Sequence, residues 1–162
     1  MKKNNIKAQL PSFFSFNTPN DLIRIGRNFD GGYLVSKGDI DRSEKFIGLG
    51  INDDWSFEED FLHRKKVDVF AYDASINERY FFKQLIKSVI RIDNIKLLVH
   101  WFKVILKYRR FFSQKNVHHI QKFVGLNTEN KSYCTFEDVL NKIDNKNIFL
   151  KIDVEGSEYR FL

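Results

Sequence analysis

Apolar residues along this chain fall into short runs at strand length, separated by stripes at helical spacing. Phe46 and Ile47 open a run that breaks at Gly48-Leu49-Gly50, and Ile51-Asn52-Asp53-Asp54-Trp55 reads as a turn. Ser56 and Glu59 have the spacing of a capping box, and the helix they predict carries Phe57, Phe61 and Leu62 on one stripe. Val67, Val69 and Ala71, with Phe70 and Tyr72, predict a second strand ending at Asp73. Val117 to Leu126 predicts a third, ending Val124-Gly125-Leu126-Asn127. Thr135 to Ile143 predicts a short helix, capped by Thr135 and boxed by Asp138, that buries Phe136, Val139, Leu140 and Ile143. Asn147 to Val154 predicts a fourth strand. Strands that alternate with helices predict a parallel sheet. The expected strands lie near 46–51, 67–73, 117–125 and 147–154, in the spatial order third, second, first, fourth. The cleft is then expected at the carboxyl ends of the first and fourth strands.

Three segments stand outside this alternation. Residues 1–20 are polar and Asn-rich, with Pro11, Pro19 and an apolar patch at Phe13, Phe14 and Phe16, and read as a lead-in to a single domain at 21–162. Residues 22–35 hold two apolar runs around Asp30-Gly31-Gly32, which predicts a β-hairpin at the domain edge. The same hairpin could instead place Arg24, Asp30 and Tyr33 beside the cleft. Residues 76–115 occupy the place of one crossover helix but are too long for it. Phe82, Leu85, Ile86, Val89 and Ile90 form one helical stripe, and a second pattern runs from Ile95 to Leu106.

Charge sharpens the picture of that insertion. The 162-residue chain has a formal net charge of +6. From Lys83 to Lys115 nine Lys and Arg stand against one acid, Asp93, a net +8, so the remainder is slightly acidic. A basic, aromatic, amphipathic segment suits a lid or substrate rim, or attachment to an anionic membrane surface. No recognised nucleic-acid motif accompanies the charge, so nucleic acid is not an expected partner. Cys134 is the only cysteine, which excludes an internal disulfide and suits a reducing, cytoplasmic compartment, with contact to the inner face of the membrane left open. The basic start of the chain lacks a continuous apolar core, so no signal peptide is expected. No run reaches transmembrane length without a charge.

The candidate chemistry lies at the expected strand ends. Glycines after a first strand allow close backbone approach, a helix N-terminus offers free N–H groups, and an acid ending the second strand can accept from a ribose. Gly48, Gly50 and Asp73 stand in those places. A dinucleotide fingerprint needs glycine at the sixth position from Gly48, where this chain has Asp53. A carboxylate there repels a pyrophosphate and favours a ligand with a cationic end, such as S-adenosylmethionine. The bland alternative is an ordinary turn with a surface aspartate. In the fourth strand Phe149, Lys151 and Asp153 share one face, and Leu150, Ile152 and Val154 the other. A lysine there is costly to bury unless paired, and a structural Lys151–Asp153 pair is the plain reading. His118 and His119 are adjacent in a strand and point to opposite faces, which disfavours a shared metal. No metal site is expected.

Asp30-Gly31-Gly32-Tyr33, Gly48-Leu49-Gly50 with Ser56-Phe57-Glu58, Asp73 and above all Leu150-Lys151-Ile152-Asp153-Val154-Glu155-Gly156-Ser157-Glu158 resemble the FkbM-type methyltransferases, over about residues 22–162. The resemblance implies a Rossmann-like, three-layer α/β/α methyltransferase fold with a parallel sheet and further strands beyond Leu162, so that the domain would be incomplete at its C-terminus. It implies S-adenosylmethionine-dependent transfer, usually to oxygen, on a glycan or secondary-metabolite hydroxyl. By position, Gly48, Gly50, Asn52 and Asp53 would hold the methionine part, Asp73 the ribose, and Leu126 and Asn127 would flank the adenine. Asp153 and Glu155 would line the reaction site, Asp153 as base or anchor with Lys151 orienting it, and Asp30 and Tyr33 would meet the substrate. Two positions depart from the common methyltransferase motif: Phe46 stands where an acid is usual, and Asn52 where the third glycine is usual. A nucleotide-dependent sugar-modifying oxidoreductase and a non-catalytic remnant that binds membranes or polyanions are the alternatives.

Overall fold

The computed structural model describes residues 20–28, 31–90, 95–125, 130–142 and 147–154. Its centre is a parallel sheet of β3 (Lys45–Leu49), β4 (Asp68–Tyr72), β5 (Val117–Ile120) and β8 (Ile148–Ile152), in the order β5-β4-β3-β8. This is the third-second-first-fourth order that the alternation of strands and helices predicts. β3 pairs with β4 on one side and with β8 on the other, so it is an interior strand, and its residues Phe46, Ile47 and Leu49 have no exposure.

Side-chain alternation gives the sheet two cores. On one face Phe46, Val69, Ala71, Val117 and Phe149 meet α2 (Ser56–Arg64), α3 (Glu78–Ile90) and α4 (Ile95–Phe112). Phenylalanines fill it: Phe61 lies 4.8 Å from Phe46 and 4.9 Å from Phe149 between ring centroids. On the other face Ile47, Leu49, Tyr72 and Ile152 meet α5 (Phe136–Asn141) and the small parallel pair β6 (Phe123–Val124) and β7 (Tyr133–Cys134). The chain is thus a mixed α/β structure with helices on both faces of a four-stranded parallel sheet.

The hairpin is antiparallel, β1 (Leu22–Ile25) against β2 (Tyr33–Ser36), and leads into α1 (Lys37–Arg42), a helix the apolar pattern does not announce. It leans on α2, where Gly26 N–H donates to Asp60 at 3.0 Å. The expected third strand is divided. β4 ends at Tyr72, so after Ile120 the chain has no ladder partner; it turns through Lys122 N–H to Ile120 C=O and resumes as β6 beside β7.

Capping agrees with the sequence at one helix and not at another. Thr135 and Asp138 form the reciprocal box at α5. At α2 the expected Ser56–Glu59 box does not form, because the helix starts with Ser56 already inside it. Asp54 accepts from Ser56 N–H at 3.0 Å and takes over the end of the helix. The Ser56 hydroxyl is left buried without a hydrogen-bond partner among the described residues, and Glu59 pairs with Arg110 on α4. The 76–115 insertion is a helical hairpin, α3 and α4, packed on the first core. No described helix is long and apolar enough to cross a membrane.

Candidate functional site

A cleft of about 640 Å³ opens at the carboxyl ends of β3, β4 and β8, the place where open α/β sheets take ligands. A larger hollow of about 930 Å³ lies at the amino ends of the strands, along Glu44, Asp68 and Asn116, where the topology gives no convergence of loops. The carboxyl-end cleft gathers residues from five separate segments. Gly50, Asn52, Asp53 and Asp54 come from the loop after β3, Asp73 and Ser75 from the end of β4, and Lys151, Asp153 and Val154 from β8. Arg27 and Tyr33 come from the hairpin, and Phe123 and Tyr133 from the β6–β7 pair.

The loop after β3 is held from below by Asp73. One carboxylate oxygen accepts from the N–H groups of Ile51 at 2.9 Å and Asn52 at 2.8 Å. The other accepts from the Ser75 N–H at 2.7 Å and its hydroxyl at 2.5 Å. Burial works to raise the Asp73 pKa, but these four hydrogen bonds outweigh it and hold the carboxyl below its usual value. With about four acceptor directions in a carboxylate, Asp73 is filled by its own loop.

Gly50 and Gly48 have structural reasons different from those expected. Gly50 adopts φ +78°, and a Cβ there would lie 1.9 Å from the Asp153 carbonyl, so this glycine serves the close approach of β8. Asn52, two residues on, also has positive φ, at 53°, a conformation asparagine tolerates. Gly48 does not line the cleft. Its missing side chain leaves space for Glu58, whose Oε1 would stand 3.1 Å from a Cβ.

Glu58 is what Lys151 needs. The Lys151 ammonium donates to Glu58 Oε1 at 3.1 Å, with side-chain exposures of 8% and 0%. The rings of Phe57 and Tyr33 lie 5.6 and 5.9 Å from the ammonium and complete its surroundings. Burial raises the Glu58 pKa against the opposing pull of the Lys151 cation, and its second oxygen has no hydrogen-bond partner among the described residues. The expected Lys151–Asp153 pair is therefore replaced by Lys151–Glu58. Asp153, on the rim, accepts from the Tyr33 hydroxyl at 3.0 Å. This brings Tyr33 and Asp153 together across 120 positions of sequence.

The remaining walls differ in character. Phe123 and Tyr133 are part-exposed aromatic rings with centroids 5.4 Å apart. Tyr72 has its hydroxyl buried without a hydrogen-bond partner among the described residues, and burial beside Cys134 and Asp138 pushes its pKa up to about 12. Arg27 pairs with Asp54 at 3.3 Å. Asp30, Leu126, Asn127 and Glu155, like residues 1–19, lie outside the described residues. None of the described residues of 76–90 and 95–115 lines this cleft.

The two histidines separate as strand alternation requires. His118 stacks on Phe70 at 5.0 Å between ring centroids. His119 is set on the other face, its Nε2 2.9 Å from the Asp73 carbonyl and its Nδ1 2.7 Å from the Tyr108 hydroxyl. A carbonyl only accepts, so the proton sits on Nε2 and Tyr108 donates to Nδ1. Among the described residues no group of three or more His, Cys, Asp or Glu is placed to hold a metal ion.

Glu58, Arg27, Asp54, Ser75, Phe123 and Tyr133 are additions to the residues expected from sequence. Only Glu58 left a signal, as a carboxylate beside Phe57 on a helix whose other buried residues, Phe61 and Leu62, are apolar. No protein-family model, curated protein or solved structure matches this chain.

Proposed function

We propose that the cleft binds S-adenosylmethionine and that the chain belongs to an S-adenosylmethionine-dependent methyltransferase acting on a hydroxyl, of the FkbM type its motifs resemble. The observation that carries this reading is the charge of the cleft in a chain that is otherwise basic. Of its lining cations, Arg27 is paired with Asp54 and Lys151 with Glu58. Asp53, Asp73 and Asp153 remain without a cation among the described residues. Such a lining disfavours a pyrophosphate and favours a ligand with a sulfonium and an ammonium.

When bound, S-adenosylmethionine supplies a methyl group on a positively charged sulfur. The Gly50–Asp53 turn, pinned by Asp73, presents a fixed backbone to the amino-acid end of the ligand. A ribose hydroxyl reaches the Asp73 carboxylate only by displacing the Ser75 hydroxyl. Phe123 and Tyr133 offer ring faces to the adenine. Asp153, which accepts from Tyr33, would anchor an acceptor hydroxyl and take its proton, and alignment of acceptor and methyl group is the main demand of the reaction. Lys151 acts through the floor of the cleft rather than on Asp153.

Titration calorimetry with S-adenosylmethionine, its demethylated product and NAD tests the reading. Binding of both S-adenosyl ligands without NAD is the expected result. NAD binding alone would point to a nucleotide-dependent sugar-modifying oxidoreductase, and no binding to a non-catalytic chain. Activity against a panel of sugars and lipid-linked glycans would then identify the acceptor.

A further inference from the structure

The α3–α4 hairpin carries an apolar surface that the fold does not use. On α4, Val104, Ile105, Tyr108 and Phe111 are buried against the core. Ile95, Val99, Phe102 and Leu106 follow one another at helical spacing on a different face, with exposures of 75%, 42%, 53% and 50%. On α3, Phe82, Ile86, Val89 and Ile90 form a matching stripe that is also exposed. The stripes adjoin. The Arg109 guanidinium of α4 lies 5.5 Å over the Phe82 ring and pairs with Glu78, so the start of α3 sits beside the end of α4. Antiparallel helices in that register run both stripes along one seam.

Lysines follow the stripes residue by residue. Lys83 and Lys87 come directly after Phe82 and Ile86, and Lys96, Lys103 and Lys107 directly after Ile95, Phe102 and Leu106. One residue is about 100° of helix, so each lysine stands on the same rotational flank of its stripe. In an antiparallel pair whose seam holds Phe82 and Arg109, that flank is the outer one on both helices. All five lysines are exposed, and among the described residues no carboxylate pairs with them. The result is an apolar strip with a cationic border on each side.

That arrangement selects the occupant. Residues 1–19 hold Phe13, Phe14 and Phe16, but their charges are Lys2, Lys3 and Lys7, which the lysine border repels. A second copy would set lysine borders against each other. Nucleic acid would satisfy the lysines and leave the apolar strip exposed. An anionic bilayer satisfies both, with headgroups for the lysines and acyl chains for the strip. We infer that the α3–α4 hairpin is a docking surface for anionic membranes, lying in the plane of the interface with Ile95, Val99, Phe102 and Leu106 inserted. The inference rests on the hairpin alone and stands independently of the cofactor reading.

The test is co-sedimentation of the full chain with phosphatidylcholine vesicles, with and without phosphatidylglycerol, at low and moderate salt. Binding to the anionic vesicles only, weakened by salt, is expected. Lys103→Gln with Lys107→Gln should lower the partition coefficient about 25-fold, at roughly fivefold for each lysine near the surface. Phe102→Ser with Leu106→Ser should lower it at unchanged lipid charge, with circular dichroism confirming the fold. Equal binding to both vesicle types, or folded variants that bind like the parent, would overturn the inference. So would a lipid-free dimer in sedimentation velocity that Phe102→Ser with Leu106→Ser dissolves, or displacement of the vesicles by a short DNA duplex. If a variant does not fold, the lipid and salt dependence of the parent chain still decides.

Discussion

Lys151 shows how far a single residue can be read from sequence. A lysine inside an apolar strand signals a partner, and side-chain alternation offers Asp153 on the same face. The partner is instead Glu58, 93 positions away on α2, admitted by the missing side chain of Gly48. Residues i and i+2 on a strand point the same way but run side by side, whereas the facing helix supplies a carboxylate head-on. Breaking a buried pair on one side leaves an uncompensated charge and costs about 3–5 kcal/mol. Lys151→Met should therefore lower the urea midpoint strongly, and adding Glu58→Leu should recover most of the loss. Equal destabilisation by the single and double variants would mean that packing, not the pair, carries the effect. Asp73 was legible as an acid at a strand end, but its four internal hydrogen bonds were not, since they depend on where the loop after β3 folds back. Asp73→Ala leaves the Ile51 and Asn52 N–H groups unpaired, so it should cost roughly 2–4 kcal/mol in denaturant unfolding. Ser75→Ala, which removes one of the four bonds, should cost about 1 kcal/mol.

Elements were legible where their cause is local. Thr135 and Asp138 lie three residues apart and cap α5 as their spacing says. Ser56 and Glu59 have the same spacing, but Asp54 reaches the helix end first and Arg110 draws Glu59 away. The break between β5 and β6 comes from the length of β4, a neighbour in space that the third strand's own residues do not reveal. His119, at that break, ties β5 to the end of β4 and to α4. Burial lowers its pKa from 6.5, so the folded chain keeps it neutral where the unfolded chain protonates it. The unfolded state then binds more protons, and stability rises with pH in that window. The contribution is complete above about pH 6.5 and declines as the pH falls below it. Urea midpoints measured between pH 5 and 8 should show this slope, and His119→Gln, which retains an N–H for the Asp73 carbonyl, should flatten it. A slope that survives the substitution would assign the effect to other groups.

At the scale of the molecule, topology was the most legible property. Strand order follows from alternating elements and short crossovers, and the cleft follows from the order. The charge distribution was legible in outline only. The excess of lysine in 83–115 placed the basic surface on a helical hairpin, and the structure packs that hairpin on the first of the two cores, with none of its described residues in the lining of the acidic cleft. This separation gives the last prediction. S-adenosylmethionine and its demethylated product differ by one positive charge on sulfur, so an acidic cleft should distinguish them. An opposite charge at 4 Å contributes roughly 4 kcal/mol in an effective dielectric of about 20, and less where water enters. Asp153→Asn removes one of the acids that have no cation partner among the described residues, while conserving shape. It should weaken S-adenosylmethionine more than its product, narrowing the ratio of their dissociation constants by about tenfold, since 1.4 kcal/mol is a factor of ten. Gln substitution of Lys103 and Lys107 on the hairpin should leave that ratio unchanged, because those charges stand outside the cleft. An Asp153→Asn variant that weakens both ligands equally would mean that Asp153 does not face the sulfur, and the acceptor-anchoring role would pass to another group in the cleft.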